Sequence, residues 1–434
     1  MASPGLLVTL LSLATLAVTS GRSFDASLLS RQFVTPICNT PQSHVVTANG
    51  MFAIDLYKKI VAPSPTQNKI FSPFSVSSAL AMTYGGANAV TKSQMASALR
   101  FYGIPWYCNV HAGFKSLTTL IQNDNSLNTA NRIYIDTSFN LKPSYLTLTN
   151  TYYLSPAQVL NIHGNPSAAT STINNWVATE TNQQITNLLS PLDAQTKLVL
   201  VNAITFKDKW LKPFGVSSNG PFSASYSMMS VYVCKMSMSC GPVSHKHGDI
   251  PSLNAQILEL PYVGNEVSMF IIRPNNVAGL NYIDNNINLA TINNAIAAMT
   301  TKQINVFLPK FSLSQNIDLK EHLQAMGMTN VFTSAADLSG IGTGNLYIDF
   351  IQHMAIIKVD MEGTEASGAT AVGVCYARRR RDTAAAVTFD VDRPFLFFLR
   401  HKSSGSILFM GRVTNPQSSC VAGSGKLGRV FERQ

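Results

Sequence analysis

Arg378 to Arg381, four arginines in a row with Asp382 after them, have the clearest chemical use of any side chains in this 434-residue chain. An arginine ahead of a peptide bond fits the acidic pocket of a trypsin-like serine protease, so the chemistry would be done to this chain by another protein. Each of Arg378, Arg379, Arg380 and Arg381 marks a bond that could be cut. The chain offers no catalytic apparatus of its own: it has no GxSxG elbow, P-loop, GxGxxG after a strand or HExxH. Ser, His and Asp are all present, but no local constellation sets a base beside a nucleophile. His245 and His247 form an HxH without a third ligand near them, and the cysteines at 38, 108, 234, 240, 375 and 420 show no CxxC spacing. Neither pattern makes a metal site, and no cofactor is expected.

The stretch leading to the arginines, Glu362 to Val374, is unusually poor in side chain. Gly363, Ala366, Gly368, Ala369, Ala371 and Gly373 give it little to pack as a fixed loop, while Thr364, Thr370, Val372 and Val374 favour a strand. As a strand it would alternate with a period of two. One face would carry Thr364, Ala366, Gly368, Thr370 and Val372, all small enough to enter a sheet above a core; the other would carry Glu365, Ser367, Ala369, Ala371 and Gly373. A slip of one residue would bury Glu365 at a cost of several kcal/mol, which specifies the register.

The elements that must hold this stretch are of both kinds. Phe52, Leu56 and Ile60 recur at helical spacing, with Thr47 as a cap, and Pro73 opens a helix of small residues over Ser75 to Tyr84. Residues 127–135 alternate as a strand, and 171–189 read as a helix capped by Ser171 or Thr172. Residues 198–207, 257–273, 304–313, 353–360 and 387–413 are β-rich. Helices gathered early and strands gathered late imply an α+β fold with large mixed or antiparallel sheets.

Beyond the arginines stand FDVDRPFLFFLR (389–400) and SILFMGRVTNP (406–416). These runs resemble the carboxyl end of the serpin family, just past that family's mobile reactive loop. The likeness extends, in serpin order, to NKIFSPFSVSSALAM (68–82), LVLVNAITFK (198–207) and LPKFS (308–312), and covers roughly residues 45–416. It implies the serpin fold, with helices around large mixed sheets and an exposed reactive loop at about 362–386. It further implies a hinge at Glu362, Gly363, Thr364, Glu365, Ala366, Ser367, Gly368 and Ala369. A buried polar shutter of Ser72, Ser75, Asn202 and His353 would lie beneath the sheet that opens, with Trp210 at the breach where the loop first enters. The reactive bond would be Arg381–Asp382 for a furin-type convertase, which needs arginine before the bond and another three residues upstream. A trypsin-like enzyme could cut after any of Arg378, Arg379, Arg380 or Arg381, while the usual serpin spacing counted from Gly363 would place the bond at Ala377–Arg378. Serpin disulfides suggest Cys38 with Cys108 and Cys420 with Cys234 or Cys240, leaving Cys375 free in the loop. One departure stands out: Met361 occupies a position where inhibitory serpins commonly have Glu.

The function implied is that of an inhibitor, a suicide substrate forming a covalent complex with a serine protease. The alternatives are a non-inhibitory serpin (carrier, storage or chaperone) and a polyanion-binding protein. With 46% hydrophobic and 12% charged residues the chain can bury one large core, and no linker or repeat divides it. Leu6 to Val18 followed by Val18-Thr-Ser20 reads as a signal peptide (1–20) with a mature start near Gly21, then a segment 21–44, the serpin domain 45–416 and an extension 417–434. The run Leu6 to Val18 is too short to span a bilayer and no stretch of about 18 uninterrupted apolar residues appears elsewhere, so a secreted, monomeric protein is expected, with neither membrane nor nucleic acid as partner. The net charge of +10 lies largely in the arginine run and the tail. The segment Cys108 to Leu120, where heparin-binding serpins carry a basic helix, has only Lys115, so a heparin-like polyanion lacks support.

Overall fold

A computed structural model describes residues 38–122, 126–224, 230–238, 241–364, 386–416 and 420. The expectations for the signal peptide, Cys240, Glu365 to Ala369, Cys375, Ala377 to Asp382 and the tail from 421 onward lie outside these residues. The chain forms two compact units. The described residues of the smaller, 38–39 and 106–108, contain the Cys38–Cys108 disulfide (S–S 2.02 Å).

The larger unit opens with helix α1 (Pro41–Val61), strand β1 (Lys69–Phe71) and helices α2 (Pro73–Gly86), α3 (Ala89–Ala98) and α4 (Val110–Gln122). There follow β2 (Leu127–Asp136), α5 (Pro143–Tyr153), β3 (Gln158–Leu160), α6 (Pro166–Glu180), β4 (Leu198–Phe206) and β5 (Asp208–Lys209). Strands β6 (Val216–Ser223), β7 (Ser230–Ser237), β8 (Val243–Ile250), β9 (Ala255–Pro261) and β10 (Val267–Pro274) precede α7 (Leu280–Asn286) and α8 (Leu289–Ala298). The remainder is β11 (Thr300–Pro309), β12 (Phe311–Asp318), α9 (Lys320–Gln324), β13 (Phe350–Val359), β14 (Gly363–Thr364), β15 (Val387–Asp390), β16 (Phe395–His401) and β17 (Ile407–Val413).

Two helix starts differ from expectation. In α1 the first turn is set by Pro41, and Thr47 lies inside the helix, its hydroxyl donating to the Ser43 carbonyl at 3.0 Å. In α6 the cap is Asn165, which accepts from the Ala168 amide at 3.0 Å, rather than Ser171 or Thr172. That helix also stops at Glu180, because Asn182 and Gln183 take positive φ (49° and 63°). Ile185, Leu188 and Leu189 sit at helical spacing but are buried from a non-helical segment; with Ile173 and Val177 of α6 they cluster with Val199 and Val201 of β4.

Among the described residues the larger sheet has ten strands in the order β1-β17-β16-β10-β9-β8-β11-β7-β6, with β15 beside β11. Next to its β1 edge lies the apolar pair β17 and β16, every residue of β17 being buried. The second sheet has seven strands, β3-β2-β4-β13-β14-β5, with β12 on β13. All nine residues of β4 are buried, as a strand covered on both faces requires. The architecture is the α+β fold of large mixed sheets that the sequence implies.

Candidate functional site

The site lies along the seam between β4 and β13 and at its upper end. The two strands run parallel in direct register, from Val199↔Phe350 to Thr205↔Ile356. Above that seam β13 turns back through Asp360 to Glu362 into β14. The Asp360 carboxylate organises the turn, its Oδ1 accepting the amides of Glu362 (3.0 Å) and Gly363 (3.3 Å), while the Asp360 amide donates to the Gly363 carbonyl at 2.9 Å. Strand β14 is antiparallel to both neighbours, pairing Val359↔Thr364 on one side and Gly363↔Lys209 and Thr364↔Asp208 on the other. Gly363 has to be glycine here: a Cβ would fall 2.1 Å from the Asp208 carbonyl oxygen.

Thr364 is fully buried, and its hydroxyl lies 2.8 Å from that of Tyr262. Burial raises the Tyr262 pKa well above its ordinary value, so the phenol stays protonated. Its ring stacks on Trp210 (centroids 4.4 Å, planes 16° apart). Trp210 in turn grips the hinge twice, its indole N–H donating to the Asp360 carbonyl at 2.9 Å and its amide to the Glu362 carbonyl at 2.8 Å. Of Met361, the main chain is engaged, accepting from the Phe214 amide at 2.9 Å. Trp210 is thus packed against the turn between β13 and β14. Tyr262 escapes sequence reasoning, since an aromatic after a strand is too common to single out.

Lower on the seam the expected polar residues are brought together. Asn131, Asn202 and His353 form one row across β2, β4 and β13, because Asn131 pairs in register with Asn202 and Asn202 with His353. The row faces the start of α2. The Ser72 amide donates to His353 Nε2 at 3.0 Å, so the ring proton sits on Nδ1 and is donated to Asn202 Oδ1. The Asn202 amide donates to Ser75 Oγ (2.6 Å) and to Asn131 Oδ1, and the Ser75 hydroxyl donates to Asn131 Oδ1 at 2.9 Å. Ser72 caps α2 by accepting the Ser75 amide at 3.2 Å and donates to the Leu408 carbonyl of β17 at 2.6 Å, so the cluster joins the two sheets. Burial lowers the His353 pKa to about 3, which keeps the imidazole neutral and able to donate and accept at once. Asn131 is the member that sequence reasoning missed; only the register of β2 against β4 would have found it.

Past the arginines the chain re-enters the larger sheet as β15, parallel to β11 from Ile304↔Val387 to Phe307↔Asp390. Lys235 of β7, almost wholly buried, donates to Asp390 at 2.6 Å. Its neighbour Cys234 is bonded to Cys420 (S–S 2.04 Å), which resolves the choice left between Cys234 and Cys240. Lys115 stands exposed on α4.

Comparison with known proteins agrees with this geometry. The family described as "Serpin (serine protease inhibitor)" matches residues 47–416. The chain is 35% identical over 381 residues to a leukocyte elastase inhibitor of Bos taurus, covering 85% of this chain and 98% of that one. It is 36% identical over 372 residues to Iris of Ixodes ricinus, covering 83% and 96%. Among solved structures, Serpin48 of the insect Tenebrio molitor superposes with a TM-score of 0.76 at 29% identity, over 86% of this chain and 98% of that one. With its hinge, its polar row and its two-sheet core in serpin order, the chain belongs to the serpin family of serine protease inhibitors, and it is not a catalytic enzyme.

Proposed function

We propose that the chain is a secreted inhibitor that acts as a suicide substrate, trapping a serine protease as an acyl-enzyme while its cut loop enters the seven-stranded sheet. The observation that carries this reading is the position of β14. Its two residues already lie between the top of β13 and β5, antiparallel to both, in line with the seam between β13 and β4. Chain continuing from Thr364 down that seam would exchange one parallel ladder for two antiparallel ones. By alternation Ala366, Gly368, Thr370 and Val372 would follow Thr364 inward, and each is small enough to do so. The main-chain bonds and burial gained in that step are the free energy that would drag the protease; strand insertion by serpins is itself a stock example of this recognition mode.

The arginine run supports a target unlike the one in the names of the elastase-inhibitor relatives, because an elastase has a small specificity pocket. Arg378 and Arg381 together meet the demand of a furin-type convertase cutting at Arg381–Asp382, and a trypsin-like protease is the second choice. Met361 favours the non-inhibitory alternative, but the carboxylate of Asp360, one residue earlier, orders the hinge amides.

The test is to mix the chain from Gly21 onward with a furin-type and a trypsin-type protease. The expected result is an SDS-stable complex and a released peptide beginning at Asp382. A peptide beginning at Arg379 or Arg380 would assign a trypsin-like target, and cleavage without any complex would overturn the inhibitory reading.

A further inference from the structure

Strand β15 is four residues long and is paired with β11. Its Phe389 is fully buried between two side chains from other strands. The ring of His247 on β8 meets it edge to face (centroids 5.8 Å, planes 79° apart), and the Arg273 guanidinium of β10 lies 5.2 Å from its centroid. His247 is 2% exposed, and neither Nδ1 nor Nε2 has a hydrogen-bond partner among the described residues. A neutral imidazole can fill such a place as a flat ring. An imidazolium there would bury two donor N–H groups with no acceptor.

The charges around the ring oppose protonation. Strand β11 brings Lys302, β10 brings Arg273, and β8 itself brings Asp249 and, two residues back, His245. On β9 the residue opposite is Leu258, and the adjacent Glu259 is taken by Ser268 (2.8 Å) and Lys402 (3.4 Å). On β15 Asp390 is taken by Lys235, and α8, which packs on β8, has no titratable side chain. Two cations thus face one carboxylate. Burial first, then Lys302, lowers the His247 pKa below its ordinary value against the pull of Asp249.

We propose that His247 is an acid-sensitive latch on β15, whose protonation expels Phe389 and frees the carboxyl-side end of the reactive loop from the sheet. Once open, the ring titrates near the ordinary histidine value of about 6.5. The open form then binds more protons than the closed one below that pH, so opening grows on acidification and is absent above it. The consequence for protease trapping rests on the inhibitory reading; the opening itself does not.

Hydrogen exchange of the full chain at about pH 7.5 and about pH 5, corrected for intrinsic chemistry, tests the latch. Amides of Val387 to Asp390 should exchange about tenfold faster at the lower pH, while those of β13 stay protected. His247→Gln and His247→Phe, one polar and one a ring of similar bulk, should both flatten the response. Unchanged protection of β15 in the wild type, acid sensitivity persisting in either variant, or equal acceleration in β13 would each overturn the proposal. So would a response that His245→Gln abolishes.

Discussion

The two ends of the reactive segment are held by different physics. At its amino-side end, Gly363 and Thr364 sit in a closed set of hydrogen bonds from Asp360, Trp210 and Tyr262. At its carboxyl-side end, β15 is held by its pairing with β11, the Lys235–Asp390 ion pair, the Arg273 guanidinium donating to the Asp390 carbonyl at 2.6 Å, and a phenylalanine set against a histidine whose ring nitrogens have no hydrogen-bond partner among the described residues. Polar networks in a dry interior are rigid when complete, whereas an unpaired titratable group is tolerated in only one charge state. In the proposed mechanism the first end is in place before the cut, and the second responds to pH. His353 marks the same contrast, since both its ring nitrogens are bonded whereas neither of those of His247 has a partner among the described residues. Each is neutral in the fold and each disfavours the fold below about pH 6.5. To take up a proton, however, His353 must break a cluster that joins both sheets, while His247 need only release four residues.

The largest expected break in this comparison is Thr364→Arg. A guanidinium in place of a fully buried hydroxyl beside Tyr262 costs several kcal/mol, so the hinge cannot seat. The variant should be cut as an ordinary substrate, with no SDS-stable complex, while β15 keeps its exchange protection. Trapping at wild-type stoichiometry would remove the hinge from the mechanism. Next comes Asn202→Ala, which strands the His353 Nδ1 proton and takes a donor from Ser75 and Asn131. A loss of about 3 kcal/mol in urea unfolding is expected, since the partners left behind stay buried and unpaired. A loss below about 1 kcal/mol would mean that the row does not close the seam.

Much of this was legible in the sequence, for reasons that differ by residue. Strands such as β4 and β17 show as unbroken apolar runs because they are covered on both faces. Ser72, Ser75, Asn202 and His353 could be named because they fall in motif runs or just before the hinge, and the fold then brought them within hydrogen-bonding distance. Asn131 and Tyr262 could not, because their roles come from register and from stacking across strands, neither of which leaves a local pattern. The helix expected over 171–189 was overextended for a related reason: Ile185, Leu188 and Leu189 keep helical spacing while the left-handed backbone at Asn182 and Gln183 has already ended α6. The HxH of His245 and His247 was weighed as a metal pattern. In the fold His247 lies close to the cations Lys302 and Arg273, which oppose its protonation.

The smallest expected effect concerns Asp360, and it separates the hinge from the sheet below it. If the missing glutamate at Met361 is made good by Asp360, the useful atom is Oδ1, which accepts two amides, and not the charge. Asp360→Asn retains an oxygen that can accept both, so it should trap protease nearly as the wild type does. Asp360→Ala leaves both amides without that acceptor at a partly open position, a loss of about 1 kcal/mol confined to the turn. Trapping competes with simple hydrolysis after the same cut, so a loosened hinge should show as more inhibitor consumed per protease captured, with the rate of the first attack unchanged. The Trp210 indole still holds the main-chain carbonyl at 360 in both variants, which keeps the effect small. Equal stoichiometry for the Asn and Ala variants would show that the hinge needs no side-chain acceptor, and the amino-side end would then owe its order to its main-chain pairing together with Trp210 and Tyr262.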